Sequence, residues 1–225
     1  MKCSYCQQEI IRNLTFKELL FPFLIKKQRC DFCQRKFTKI PTTACPTCSK
    51  PGWQMQCDEC KQWQMLYPNY EFCHQALFCY DEAFKEWIYQ YKFLGDFRLK
   101  ATFSSEIQAY FSKRKEWIIV AVPLSKERFL KRGFNQVEAF LQAANVKTQH
   151  LLEKKVDSTP QSEKNRQERL AAPQVFRATQ EISMVKNKKV VLVDDVYTTG
   201  RTLFHAAEIL QNYQPKEIQT FSLAR

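Results

Sequence analysis

The chain has 225 residues, 44% hydrophobic and 26% charged, a balance that excludes a largely disordered or low-complexity protein. Its longest apolar run, Leu19 to Ile25, is far shorter than the roughly 20 residues of a membrane-spanning helix, so we expect no transmembrane segment. The formal net charge of +12 favours a polyanionic partner, with nucleic acid as the first candidate.

Eight of the ten cysteines form four C-x-x-C pairs within the first 60 residues. This spacing lets a tight turn direct two thiolates at one ion, and two such pairs complete the tetrahedral coordination that zinc prefers. Four thiolates close the coordination sphere, so we predict two structural zinc sites rather than catalytic ones. The predicted metal ligands are Cys3, Cys6, Cys30, Cys33, Cys45, Cys48, Cys57 and Cys60.

Which two C-x-x-C pairs bind the same ion stays open at this point. Pairs that are neighbours in the sequence and pairs that alternate along it both satisfy the spacing. Disulfides and redox-active C-x-x-C motifs are the alternatives to zinc. The start of the chain has no apolar signal core, which predicts a cytoplasmic, reducing location and disfavours disulfides. Four copies without a strand-helix context disfavour redox motifs. The residues that fit no ligand spacing, and that we interpret as ordinary structural residues, are Cys73, Cys79, His74 and His205.

Residues 80–111 alternate apolar and charged side chains at helical spacing, with an interruption at Gly95. This pattern predicts two helices. Residues 117–125 follow as an apolar segment that we interpret as a buried strand ending at Pro123, because proline cannot continue the hydrogen bonding of a central strand.

Residues 126–136 are dense in donors suited to a diphosphate, and Arg128 and Arg132 would share one helix face. A solvated basic helix start is the alternative interpretation. Residues 158–170 are polar and lack the periodicity of a buried element, which indicates either a mobile loop or an ordinary surface connection.

The valine-rich run from Lys189 to Val193 is apolar at every position after the first, as is typical of a central parallel strand. It ends in Asp194 and Asp195. Adjacent carboxylates repel each other unless cations or hydroxyls satisfy them, so we favour a binding role over a solvent-facing turn. The pair suits the 2′- and 3′-hydroxyls of a ribose, directly or through Mg²⁺.

A loop and a helix follow the acidic pair, and Leu203 to Tyr213 carries one packed apolar helix face. A loop between a strand and a helix N-terminus collects free backbone N–H groups, to which Thr198, Thr199 and Thr202 add hydroxyl donors. Gly200 permits a positive φ or a close approach of phosphate. The segment therefore predicts a monophosphate-binding loop.

Residues 190–202 resemble the phosphoribosyl-pyrophosphate motif of type I phosphoribosyltransferases, and Tyr197 is a mild departure where a small aliphatic residue is usual. The resemblance implies that Asp194 and Asp195 are the catalytic pair that holds the ribose hydroxyls. It also implies Mg²⁺ bound with the ligand. The residues that it places around the 5′-phosphate are Thr198, Thr199, Gly200, Arg201 and Thr202.

Two further segments, the Arg-x-x-x-Arg-Gly-Phe-Asn-Gln stretch at 128–136 and residues 91–96, resemble the ComF family, also described as the ComF/GntX group. The similarity extends over essentially the full chain. It implies that residues 122–125 form a pyrophosphate loop, with the ligand contacts Leu124, Ser125, Arg128 and Arg132. The likeness to phosphoribosyltransferases implies that residues 158–170 form a lid over the pyrophosphate, with the contacts Arg166 and Arg169.

The implied fold is an α/β fold of the type I phosphoribosyltransferase kind, a parallel sheet flanked by helices, with an N-terminal double zinc-ribbon-like module. We expect that cysteine-rich, zinc-binding module in residues 1–75 and the phosphoribosyltransferase-like domain in residues 76–225.

The family resemblance implies a role in natural transformation, in which the protein assists the uptake of single-stranded DNA into the cytoplasm. The implied partners are phosphoribosyl pyrophosphate, single-stranded DNA and a ComFA-type helicase or ATPase, and peripheral association with the inner-membrane uptake machinery is compatible with it. Two alternatives stay open: a true phosphoribosyltransferase that joins a base or amine to the sugar, and a scaffold whose pocket no longer binds ligand.

Overall fold

A computed structural model of the protein describes residues 2–10, 16–20, 29–155 and 174–225. Its α-helices are α1 (Phe16–Leu20), α2 (Asp31–Arg35), α3 (Asp58–Leu66), α4 (Glu82–Lys92), α5 (Ser104–Phe111), α6 (Lys126–Arg132), α7 (Gln136–Ala143) and α8 (Arg201–Gln211). Its strands are β1 (His74–Phe78), β2 (Ile118–Ala121), β3 (Leu152–Lys154), β4 (Phe176–Ala178), β5 (Lys189–Val196) and β6 (Glu217–Ala224). Within the described ranges, no helix is both long enough and apolar enough to cross a membrane.

Four strands form a parallel sheet in the order β1-β6-β5-β2. The interior strand β5 pairs on one side with β2, where Val191 lies opposite Ile119, and on the other with β6, where Val193 lies opposite Phe221. Strands β3 and β4 form a separate antiparallel pair. The predicted domain boundary at residues 75 and 76 falls within β1, and the division into two domains remains a prediction.

The side chains of β5 alternate between two cores on opposite faces of the sheet. Val190 and Leu192 pack on the face that α8 covers, whereas Val191 and Val193 pack on the face of α4, α5 and α7. All four side chains are fully buried. A parallel strand covered on both faces needs apolar residues at both sets of positions, so the sequence prediction of a central strand is confirmed.

The two helices predicted for residues 80–111 are α4 and α5, and a 3-10 helix at Phe97–Ala101 lies between them. Helix α4 begins after Asp81, whose side chain accepts a hydrogen bond from the N–H of Phe84 at 3.0 Å. Strand β2 is shorter than the predicted segment. Its last hydrogen bond to β5, from Val122 N–H to the carbonyl of Val193 at 2.9 Å, comes directly before Pro123, which has no N–H to donate.

The cysteine-rich region contains two modules of the same local design, which we call the first cysteine module (Cys3, Cys6, Cys30, Cys33) and the second cysteine module (Cys45, Cys48, Cys57, Cys60). In each module the first C-x-x-C pair forms a tight turn, and the residue after that pair, Gln7 or Ser49, has a φ of 62°. The second pair of each module begins at the N-cap of a helix, α2 or α3. Each module therefore joins two C-x-x-C pairs that are neighbours in the sequence, which is the sequential arrangement.

The two modules pack against opposite faces of the sheet. The second module contributes Trp63, whose ring stacks on Phe204 of α8 with centroids 4.2 Å apart. Beside the first module, Phe37 contacts Phe103 at a centroid distance of 4.9 Å in the other core. Arg29, only 4% exposed, joins the first module to α5 through an ion pair with Glu106. Each module is therefore attached to a different layer of helices.

Candidate functional site

Asp195, near the end of β5, is held in place by side chains from two helices. Its carboxylate is 3% exposed. The Nζ of Lys92, the last residue of α4, lies 2.8 Å from Oδ1 and 2.7 Å from Oδ2, and the Nε2 of Gln136 donates to Oδ2. A buried carboxylate is costly unless it is paired and hydrogen-bonded, and this arrangement provides both.

Asp194 is only partly buried and differs from its neighbour in its surroundings. Its Oδ1 accepts a hydrogen bond from the backbone N–H of Asp195 at 2.9 Å. Burial, followed by the negative charge of Asp195, raises the pKa of Asp194 to about 7, against the opposing effect of Lys92. A carboxyl with this pKa changes its protonation near neutral pH, so its charge responds to a cation or an anion that enters the site.

Residues 197–200 connect β5 to α8 and form the predicted phosphate loop. Gly200, at the N-cap of α8, has a φ of +81°, a conformation that favours glycine. The first backbone N–H groups of a helix have no intrahelical partner and the helix dipole is positive there, so this end of the 11-residue α8 favours an anion. Thr198, Thr199 and Thr202 line the space beside it.

The predicted diphosphate donors lie on α6, directly after the end of β2. Ser125 caps this helix, because its Oγ accepts a hydrogen bond from the N–H of Arg128 at 3.3 Å. Arg132 lies one turn beyond Arg128, and its Nε donates to the carbonyl of Lys92 at 3.0 Å. Burial lowers the pKa of Arg132. This guanidinium is thus a partly desolvated cation fixed beside the acidic pair.

These groups surround one cleft of about 310 Å³. The carboxyl ends of parallel strands meet at one edge of a sheet, which brings segments distant in sequence together. Ser125 and Gly200 cap the helices beside the cleft, and Arg166 and Arg169 lie outside the described residues. The predicted site residues that line the cleft are Leu124, Arg128, Arg132, Asp194, Asp195, Thr198, Thr199, Arg201 and Thr202.

The cleft also contains charged and amide side chains that were not among the predicted site residues, namely Lys92, Gln136 and Lys154. Lys92 and Gln136 each lie within a segment that resembles the ComF family, so the resemblance marks the segments without giving these residues a role. Lys154 is the last residue of the short strand β3 and belongs to no motif. Its place in the cleft follows only from the tertiary structure.

The four Sγ atoms of each cysteine module lie within 4.8 Å of one another. The Sγ atoms of Cys6 and Cys30 are 3.8 Å apart in the first module, and those of Cys48 and Cys57 are 3.6 Å apart in the second. A tetrahedral zinc ion with Zn–S bonds of about 2.3 Å requires sulfur separations of about 3.8 Å. Both groups of four cysteines therefore fit zinc.

Backbone and side-chain donors also suit thiolate ligands in these modules. The N–H groups of Cys30 and Cys57 donate to the sulfurs of Cys3 and Cys45, each at 3.3 Å. A hydrogen bond from Cys60 and the positive charge of Arg225 lower the pKa of Cys48. All four cysteines of the second module are buried, whereas Cys6 of the first module is exposed.

His74 and the two cysteines outside the modules have ordinary surroundings. His74 is 1% exposed, and its two ring nitrogens lie 2.9 Å from Thr220 Oγ1 and 3.0 Å from Ser222 Oγ. Cys73 and Cys79 belong to neither group of potential metal ligands found in the described part of the chain. These contacts agree with a structural role.

Known proteins resemble the chain in its phosphoribosyltransferase-like part and over its full length. Residues 101–225 match the family described as Phosphoribosyl transferase domain. The chain is 36% identical to the competence protein ComFC of Streptococcus pneumoniae over the full length of both. It is 30% identical to the competence protein ComFC of Bacillus subtilis, covering 99% of this chain and 94% of that one. The DNA utilization protein YhgH of Escherichia coli is 25% identical, covering 87% and 89%.

The predicted fold class is therefore confirmed by the parallel sheet between helices, the two groups of four cysteines and the matching family. The relatives named ComFC share the whole length of the chain and not just the sugar-phosphate motif. The chain belongs to the ComFC family of competence proteins and carries a phosphoribosyl transferase domain at residues 101–225.

Proposed function

We propose that the protein is a competence factor for natural transformation that assists the entry of single-stranded DNA into the cytoplasm, with phosphoribosyl pyrophosphate as the ligand of its cleft. The observation that carries the competence role is the full-length identity to ComFC proteins of two species. The name of the Escherichia coli relative, a DNA utilization protein, agrees with it. These relatives favour the competence role over the enzymatic alternative.

The charges in the cleft support the ligand. Phosphoribosyl pyrophosphate is a polyanion with a ribose at its centre, so its site needs cations at both ends and hydroxyl acceptors between them. The N-terminus of α8 would take the 5′-phosphate, α6 would take the pyrophosphate, and Asp194 would face the ribose. The cationic residues that line the cleft are Lys92, Arg128, Arg132, Lys154 and Arg201.

The same proposal includes two kinds of metal. Zinc in each cysteine module would supply folding energy, because four converging thiolates repel one another without it. Mg²⁺ would accompany the pyrophosphate and neutralise part of its charge. Lys92 and Gln136 engage the oxygens of Asp195, so Asp194 is the better placed of the two carboxylates to meet a cation.

Single-stranded DNA, a ComFA-type helicase and peripheral contact with the uptake machinery are the partners that we propose, in a cytoplasmic location. The net charge of +12 supports binding of a strand through its phosphates. Exposed aromatic rings would allow stacking with bases, since Phe93, which follows α4, is 62% exposed and Phe129, on α6, is 47% exposed. Phe93 also lines the cleft, so a base stacked on its ring would lie beside the sugar phosphate.

Titration calorimetry with phosphoribosyl pyrophosphate and Mg²⁺ tests the ligand. We expect Arg128→Met to weaken binding about tenfold, because it removes a charge-assisted contact. Lys131→Met is the matched control, because Lys131 lies on the same helix but does not line the cleft. Absence of binding to the wild-type protein, or equal losses in both variants, would refute the assignment.

Three further measurements separate the competence role from the enzymatic one. Transformation frequency in a naturally competent host should fall with Arg128→Met and stay unchanged with Lys131→Met. Fluorescence anisotropy of a labelled single-stranded oligonucleotide, with and without the sugar phosphate, measures DNA binding directly. Release of pyrophosphate in the presence of a panel of bases would instead establish a transferase.

A further inference from the structure

We infer that the second cysteine module positions the phosphate loop, so that metal in this module and ligand in the cleft stabilise each other. Trp63 and Arg225 carry the coupling, because each donates a hydrogen bond to a carbonyl of the loop. The inference depends on the proposed function in taking phosphoribosyl pyrophosphate as the ligand of the cleft and zinc as the metal of the module.

Trp63 links the module to the loop from one side. It lies on α3, one turn after Cys60, and is 3% exposed. Its indole Nε1 donates to the carbonyl oxygen of Thr199 at 2.8 Å. The ring itself is fixed by its stack on Phe204 of α8. The carbonyl of Thr199 is thus tied to a helix whose start depends on the geometry of the module.

Arg225 links the module to the loop from the other side. Its Nη1 donates to the carbonyl oxygen of Thr198 at 3.1 Å. Its Nη2 donates to Glu59 Oε2 at 2.6 Å and lies 3.7 Å from the Sγ of Cys48. Glu59 lies between the cysteines of the second C-x-x-C pair of the module. Arg225 therefore spans from the sulfur cluster to the loop in a single side chain.

These two anchors determine which groups the loop presents. In a trans peptide the C=O of one residue and the N–H of the next point in opposite directions. The carbonyl of Thr198 is held toward the module, so the N–H of Thr199 points away from the module. The carbonyl of Thr199 is held in the same way, so the N–H of Gly200 also points away from the module. Those N–H groups are the donors that a phosphate requires, whereas a flipped peptide would present a repelling carbonyl oxygen.

The first cysteine module provides a natural contrast. Its contacts run to the opposite layer of helices, where Arg29 pairs with Glu106 and lies over the ring of Phe103 at 4.8 Å. Metal in the first module should therefore affect stability without affecting the phosphate loop. The coupling that we infer is specific to the second module.

Coupling between two sites is reciprocal, so the ligand must stabilise the metal by the factor by which the metal strengthens the ligand. We expect phosphoribosyl pyrophosphate to raise the zinc affinity of the second module at least about fivefold, the lower end of typical coupling, and so to reduce zinc transfer from it to a chelator. Zinc release from the first module should not respond.

The first experiment compares Trp63→Phe with Trp87→Phe in zinc-loaded protein. Both substitutions remove a buried indole donor and leave an aromatic ring, since Trp87 donates to Thr102 Oγ1 at 3.1 Å in the other core. Titration calorimetry with the Mg²⁺ complex of phosphoribosyl pyrophosphate should show about fivefold weaker binding in Trp63→Phe, the effect of one lost hydrogen bond. Trp87→Phe should bind as the wild type does.

The second experiment follows zinc transfer to a chromogenic chelator with and without the same ligand. Ligand protection of the second module in wild-type protein, and reduced protection in Trp63→Phe, would support the coupling. Cys3→Ser removes the zinc signal of the first module. In this variant the ligand should still protect the zinc of the second module. A ligand that binds wild type and Trp63→Phe equally, with zinc release unaffected, would overturn this inference alone. No binding to wild type would overturn the proposed function as well.

Discussion

Gly200 lies so close to Tyr197 that a Cβ atom at position 200 would be 2.3 Å from the phenol oxygen. The ring of Tyr197 is 2% exposed and lies beneath the loop, with the guanidinium of Arg225 4.5 Å from its centroid. The aromatic residue at 197 is the position where the motif departs from its usual small aliphatic residue. In this protein that ring fills the space between the phosphate loop and the second cysteine module.

Gly200→Ala should reduce both stability and ligand affinity. The substitution places a side chain at a φ of +81° and against Tyr197, so we expect a loss of about 2–4 kcal/mol in the free energy of unfolding. Gly133→Ala is the control, because Gly133 has the same φ with no atom within 4 Å of its Cβ position. It should lose about 1 kcal/mol. Urea unfolding measures the loss of stability in each variant. Equal losses in Gly200→Ala and Gly133→Ala would contradict the close contact with Tyr197.

Lys92→Met should destabilise the fold by leaving Asp195 buried without its counter-charge. We expect a loss of about 3 kcal/mol in the free energy of unfolding, the lower end for breaking a buried ion pair. The double variant Lys92→Met with Asp195→Asn should recover much of that loss, because no unpaired charge remains. Urea unfolding of the four proteins in this cycle measures the coupling, and simple additivity of the two changes would argue against it.

Stability should fall as pH rises through the range set by Asp194. In the folded protein the carboxyl of Asp194 has a pKa of about 7, whereas an ordinary aspartic carboxyl has a pKa near 3.8. Between these values the folded state binds more protons than the unfolded chain, so raising the pH removes stability through this group. Asp194→Asn should gain stability over wild type between pH 4 and pH 7. The check is the free energy of unfolding of both proteins measured against pH. If the two curves run parallel, Asp194 does not have the raised pKa.

Zinc should leave the two cysteine modules at different rates. In the first module Cys6 is exposed and Cys30 is partly exposed, whereas the four cysteines of the second module are buried. A chelator should therefore remove zinc in a fast and a slow phase of equal amplitude. Cys6→Ser should abolish the fast phase, and Cys48→Ser should abolish the slow one. A single phase in the wild-type protein would contradict the difference in accessibility.

Features that depend on short spacing could be predicted from the amino-acid sequence alone. The C-x-x-C pairs predict metal ligands because two residues are what a tight turn needs between two thiolates. The apolar run before Asp194 predicts a central strand because both faces of an interior parallel strand are covered. The acidic pair and the threonine loop are likewise contiguous in the chain, so their proximity requires no knowledge of the fold.

Contacts between segments that are distant in the chain could not be predicted and became evident in the folded structure. The salt bridge between Lys92 and Asp195 joins residues 103 positions apart, and the hydrogen bond from Trp63 to Thr199 joins residues 136 apart. No local pattern encodes such pairs, because they arise when the sheet brings the ends of separate segments to one edge. The pairing of the cysteines and the attachment of the second module to the phosphate loop depend on the fold for the same reason.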